Sequence, residues 1–211
     1  MIAGFADSVN LWQGFTPSLD LLKAGLAKVK RTSGPPPFET PKTMGGTVLY
    51  DAISVTATEE FLRKTGAKVL VVLSDGLDTT SSVTLESAVK SAQAAETVVY
   101  GICDQDRERS AMDHYFAIHS RDIIRYYSGC DALKAISRPT GGRMFVIAKD
   151  RNTEPIFAAI RQEINGQYLL GFSLSIPPRE GTFHKLEIKT KRNGLVVRGR
   201  EGYYTFKSNE R

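Results

Sequence analysis

The sequence predicts an α/β fold: a mainly parallel sheet flanked by helices, followed by an antiparallel β extension. Three observations carry that reading. Lys68–Ser74 and Thr97–Ile102 are continuous apolar runs, as strands buried on both faces are. Between them Thr84 opens a helical stretch with Leu85, Ala88, Val89, Ala92 and Ala95 on one face. Strand, helix and strand in that order make a parallel crossover unit. Beyond Asn165-Gly166 the pattern changes, and Tyr168, Leu170, Phe172, Leu174 and Ile176 alternate with small or polar residues. Antiparallel strands with one wet face read that way. The division expected is residues 1–165 for the α/β part and 166–211 for the extension.

The remaining elements follow in order. Met1–Ala6 reads as a short apolar strand, and Ser8–Phe15 alternates as an edge strand does. Thr16-Pro17 is a helix-start pair, a hydroxyl cap before a proline. Leu19, Leu22, Leu26 and Val29 then recur at helical spacing to about Lys30. Ser33–Thr40, with three consecutive prolines, is a loop. Thr47 is expected to begin a helix that runs to about Lys64. Residues 104–128 read as an irregular loop with a helical piece around Ser110–His119. A short helix at Asp131–Ser137 stops at Pro139, and Gly141-Gly142 turns into a strand at Arg143–Ile147. Thr153 caps a helix to about Asn165, with Phe157, Ile160 and Ile164 inward. Leu186 and Ile188, then Leu195, Val197 and Tyr203-Tyr204, complete the extension.

At 211 residues, 41% hydrophobic and 24% charged, the composition is that of an ordinary globular chain. No apolar run approaches the roughly 20 residues of a membrane helix. No basic segment precedes Met1–Phe5, so a signal peptide is not expected. The net charge is +5, and residues 179–211 alone carry nine lysines and arginines against four acids. No aromatic stacking pattern accompanies that charge, so it reads as a solvated strand face and not as a nucleic-acid surface. Cys103 and Cys130 fit neither a disulfide framework nor a metal spacing, and Cys103 reads as a small core residue. His114, His119 and His184 read as surface residues, Trp12 as half-buried packing, and Tyr126-Tyr127 and Tyr203-Tyr204 as packing.

The candidate site lies at the strand tips. The apolar run 68–74 stops at Asp75-Gly76, and the carboxyl ends of parallel strands are where open α/β sheets place ligands. Upstream, Gly45-Gly46-Thr47 is a small-residue turn before a helical pattern. Thr47 and Asp75 are hard oxygen donors suited to Mg²⁺ or Mn²⁺. Asp78 and Asp51 would line the same rim, with Asp51 in the first helical turn, where its charge suits the helix dipole. The competing reading is plainer: Thr47 as a helix cap and Asp75-Gly76 as a tight turn.

Four segments, Ile2–Asp7, Gly45–Ala52, Val69–Thr79 and Thr140–Arg143, resemble the von Willebrand factor type A (vWA) domain. The bacterial branch labelled "VWFA-related" is the more similar. Gln167–Phe172 and Val197–Tyr204 resemble that branch too. The resemblance implies a doubly wound, Rossmann-like α/β fold and a metal-ion-dependent adhesion site (MIDAS). In it Thr47 and Asp75 would contact a divalent cation, and a partner's acidic side chain would complete the coordination. The family's Asp-x-Ser-x-Ser loop, with the strand before it, would fall ahead of Met1. The expectation is therefore an N-terminally incomplete domain with an incomplete site. That strand and loop would lie upstream or come from another chain, or else the chain is a metal-blind relative. Mg²⁺ or Mn²⁺ is expected only where that loop is supplied. A full-length relative would be secreted or lie in the cell envelope.

The function expected is non-enzymatic binding of a protein that presents an acidic side chain. The alternative is a metal-independent assembly protein that uses open sheet edges, homo-oligomerisation included, and the basic extension. A hydrolase acting through Asp75 and Asp78 on a bound metal is a distant third. There is no Gly-x-Ser-x-Gly elbow and no Gly-x-x-x-x-Gly-Lys loop, so hydrolase and nucleotide-hydrolase readings find no motif.

Overall fold

A computed structural model describes residues 1–28, 46–104, 129–168, 170–172, 179 and 181–205. Its centre is a three-stranded parallel sheet in the order β3-β4-β5, formed by β3 (Lys68–Ser74), β4 (Thr97–Cys103) and β5 (Met144–Val146). β3 and β4 pair in register from Lys68–Thr97 to Ser74–Cys103, so their carboxyl tips end level. Helix α3 (Leu85–Ala94) lies between β3 and β4 in the chain, and α4 (Gly129–Ser137) leads into β5. α3 starts where expected, with Thr84 Oγ1 accepting from Ser87 N.

β4 explains the layering. Its alternate residues point to opposite faces, and both faces are covered. Val99 and Cys103 pack with Leu49, Ile53, Ala88, Ala92, Leu133 and Ile136. Tyr100 and Ile102 pack on the other side against Ile156 and Ile160 of α5 (Glu154–Asn165). Each such aliphatic side chain, fully buried, contributes on the order of 1.5–3 kcal/mol. The chain is thus mixed α/β, with helices on both faces of a parallel sheet and a small antiparallel sheet at its end.

The N-terminal region has the expected two strands and helix but differs in how the helix is capped and covered. β1 (Ile2–Phe5) and β2 (Val9–Gln13) form a separate antiparallel hairpin. The Trp12 ring lies where a Cβ on Gly4 would be. Helix α1 (Leu19–Ala27) is capped by Ser18, not Thr16, because Ser18 Oγ accepts from Leu21 N. Thr16 Oγ1 instead accepts from Ser18 N and shapes the turn before the helix. The leucine stripe expected of α1 does not close on a core, since Leu19 is 63% and Leu26 60% exposed. The helix packs on the hairpin through Gly25, its one buried residue, against Gln13 and Ile2.

Helix α2 runs over Leu49–Val55 and then widens into a π-helical turn at Thr56–Phe61. The straight helix expected from Thr47 to Lys64 is therefore shorter and two-part. Ala57 and Phe61 in the π turn pack on Ala95.

At the other end, Thr153 makes no side-chain cap; Asn152 Oδ1 accepts from Glu154 N instead. α5 buries Ile156 and Ile160, while Phe157, expected inward, is half exposed. Among the described residues after 166 the strands are β6 (Phe183–Lys185) and β7 (Gly202–Tyr204), three residues each. A backbone bond from Glu201 N to Pro139 O ties this extension to the core. His184 stacks on Tyr203 and Phe183 packs on Tyr204, so the tyrosine pair does pack. The proline loop at 33–40 and the piece around 110–119 with His114 and His119 lie outside the described residues. So do Tyr126-Tyr127 and residues 173–178. No helix among the described residues is long and apolar enough to cross a membrane.

Candidate functional site

The loop after β3 is built by its own acids. Asp78 Oδ1 accepts from Tyr50 N at 3.1 Å and from Ser81 Oγ at 2.5 Å. Ser81 Oγ accepts in turn from Asp51 N at 3.1 Å. Tyr50 and Asp51 stand in the first turn of α2, where backbone N–H groups have no partner within the helix. Asp78 and Ser81 thus cap α2 from across the loop. Val48, at the cap position, makes no side-chain bond. Asp51 does lie in the first turn, and its carboxylate reaches back to accept from Ser82 N and Val83 N.

Thr47 precedes this cap and does not itself cap the helix. Its backbone is locked to the same loop: Thr47 N donates to Thr79 Oγ1 at 2.7 Å, and Thr47 O accepts from Thr79 N at 3.0 Å. Its half-buried side chain makes no hydrogen bond to the described residues. Asp75 begins the loop. Its Oδ1 accepts from Leu77 N at 3.2 Å, an Asx turn, and from Ser74 Oγ at 3.4 Å. Its Oδ2 has no hydrogen-bond partner among the described residues. Gly76 follows with φ +78°, a backbone state that suits glycine.

The loop rests on the first residues of α4. A Cβ on Gly76 would stand 1.9 Å from Gly129 O, and one on Gly129 would stand 2.0 Å from Asp75 O. Beneath them Cys103 and Cys130 form a disulfide. Cys103 is the core residue expected, fully buried, but it is bonded to Cys130, a pairing the sequence reading did not assign. The two cysteines are 27 residues apart, and only the fold brings the end of β4 against the start of α4. Cys103 Sγ lies 3.8 Å from Asp75 O, so the bridge sits directly under the candidate site.

Asp104 completes the row of strand tips. Its N–H donates to Ser74 O at 3.0 Å, and its buried carboxylate is held by Arg151, with Nη2 at 2.8 Å. Sequence reasoning missed Ser81, Thr79 and Asp104. The signal available was the run of hydroxyls and acids from Ser74 to Ser82 immediately after a buried strand.

The described residues contain no group of three or more His, Cys, Asp or Glu side chains that could hold a metal ion. Asp51 and Asp78 already accept two or more hydrogen bonds each. That leaves Thr47 Oγ1 and Asp75 Oδ2, far short of the six oxygens an octahedral cation takes.

Comparison with protein families and with curated proteins returns no match.

Proposed function

We propose that this chain is a non-enzymatic protein-binding module of the vWA type, with its recognition rim at Thr47, Asp75 and the loop that joins them. The doubly wound vWA arrangement belongs to this proposal. The observation that supports it most is the Thr47–Thr79 lock. It fixes two segments 28 residues or more apart in sequence at the end of a parallel sheet, and each brings one oxygen with no partner among the described residues. In this reading Asp78 is a scaffold for the rim and not a ligand to the partner. The Cys103–Cys130 bridge suits an oxidising compartment, as a secreted or envelope protein would meet.

In this reading the cation site is incomplete. Calorimetric titration with Mg²⁺ or Mn²⁺ is expected to show no tight stoichiometric binding to this chain; a 1:1 isotherm in the micromolar range would show that two donors suffice and would overturn that part. The binding role is tested by capture of partner proteins on immobilised chain. Asp75→Ala is expected to lower capture, and unchanged capture after that substitution would sink the rim.

A second reading has its own observation. Among the described residues β3 is an outer strand of its sheet, and Val71 and Leu73 on it are 37% and 57% exposed. An uncovered apolar edge strand is a template for pairing with another chain. An assembly protein of this kind would be insensitive to chelators and to Asp75→Ala.

A further inference from the structure

A groove separates the Gly141–Met144 turn from the C-terminal extension, with a volume of about 650 Å³. That is within the range of small-molecule sites. Five cations line it: Lys134, Arg138, Arg143, Arg198 and Arg200. They come from α4, the turn after it and the extension, so they converge from three segments. Of the extension's lysines and arginines, Arg198 and Arg200 line this groove.

The carboxylates nearby do not balance them. Arg143 and Arg198 share one acid, Glu163, at 2.7 and 2.9 Å. Arg138 takes Glu201 at 3.1 Å. Glu187, the other acid of the lining, engages Lys189 at 3.0 Å. Lys134 and Arg200 have no ion-pair partner among the described residues. Arg143 Nε is buried with no hydrogen-bond partner among the described residues, and its guanidinium lies 4.3 Å above the Phe145 ring. A buried donor left unpaired costs on the order of 1–3 kcal/mol. Cations gathered in a concave wall raise the local concentration of anions. The lining also includes the apolar side chains of Met144, Leu186, Ile188 and Val197.

We propose that this groove binds a small amphiphilic anion: a phosphate or carboxylate head held by Lys134, Arg200 and Arg143, with an apolar body against Leu186, Ile188 and Val197. The two charged groups without partners set the head's position, and the guanidinium plane of Arg143 supplies donors suited to either head. None of these residues belongs to the Thr47–Asp75 rim, so the two readings fail independently.

The test is calorimetry on the full chain with four probes: decyl phosphate, decanoate, decanol and inorganic phosphate. Decyl phosphate or decanoate is expected to bind with 1:1 stoichiometry, and the tighter of the two identifies the head. Decanol and inorganic phosphate should bind at least about tenfold more weakly, since each lacks half of the recognition. K134Q/R200Q should weaken the anionic amphiphile about tenfold or more. V197D, on a wall residue 42% exposed, should weaken it independently by repulsion. Far-UV circular dichroism verifies that each variant is folded. An unchanged Kd in both variants, or decanol or inorganic phosphate binding as tightly as the amphiphile, would overturn the proposal.

Discussion

The loop after β3 and the groove under the extension both gather charge at the edge of one core, and they treat it in opposite ways. In the loop Asp75 and Asp78, and beside it Asp51 of α2, each accept a backbone N–H. In the groove cations outnumber the carboxylates that meet them. A carboxylate satisfied by backbone donors is part of the architecture, because removing it leaves loop and helix-end N–H groups without their acceptor. A cation with no internal partner adds nothing to the fold and is free to meet a ligand. Near Tyr100 the two regimes touch. Burial first, and then the negative Glu163 beside it, hold its phenol above the ordinary range, while Glu163 is itself held by two arginines.

The largest effect expected is at the loop's closest contact. Gly76→Ala places a side chain at φ +78° and drives its Cβ onto Gly129 O. Neither penalty has a flexible side chain to absorb it, because the obstacle is backbone. The loss expected is about 3 kcal/mol or more, read as a fall in the urea midpoint. A loss under about 1 kcal/mol would mean that the loop can lift from α4 and that its acids are not held as described.

Next comes the network itself. Asp51→Ala removes the acceptor of Ser82 N and Val83 N, and should cost about 1–2 kcal/mol. Asp51→Asn keeps one acceptor oxygen and should recover part of that. If both variants melt with the parent, the bonds to Ser82 and Val83 are replaced by water, and the loop is no more rigid than the groove.

The sequence carries the fold's centre plainly and its joints poorly. Thr97–Cys103 is legible because burial on both faces leaves an unbroken apolar run; Lys68–Ser74 carries the same run and is a strand, but only one of its faces is covered, since Val71 and Leu73 are exposed. The cap at Thr84 is legible because donor and acceptor are three residues apart. Asp78 capping α2 is not, because its partner Tyr50 is 28 residues distant and no local spacing connects them. The disulfide is hidden for the same reason. The expected stripe on α1 fails differently: helical period reports which leucines share a face, not whether anything covers that face. At the candidate site Thr47 and Asp75 stand out by their place beside glycines, whereas Thr79, which joins their segments, has no signature of its own.

The smallest effect gives the sharpest contrast. Lys134 and Arg200 project into the groove without ion-pair partners among the described residues, Lys134 exposed and Arg200 half-buried. Replacing both by glutamine removes two like charges from one concave wall and breaks no ion pair given for the fold. The unfolding free energy of K134Q/R200Q should stay within about 0.5 kcal/mol of the parent. A small gain is expected at low ionic strength, where repulsion among the groove cations is least screened. Added salt should erase that gain, because screening removes the repulsion the substitutions relieve. A loss above about 1 kcal/mol, insensitive to salt, would show that these side chains brace the extension against the core. The groove would then be architecture like the loop, and the division between satisfied acids and surplus cations would no longer separate scaffold from site.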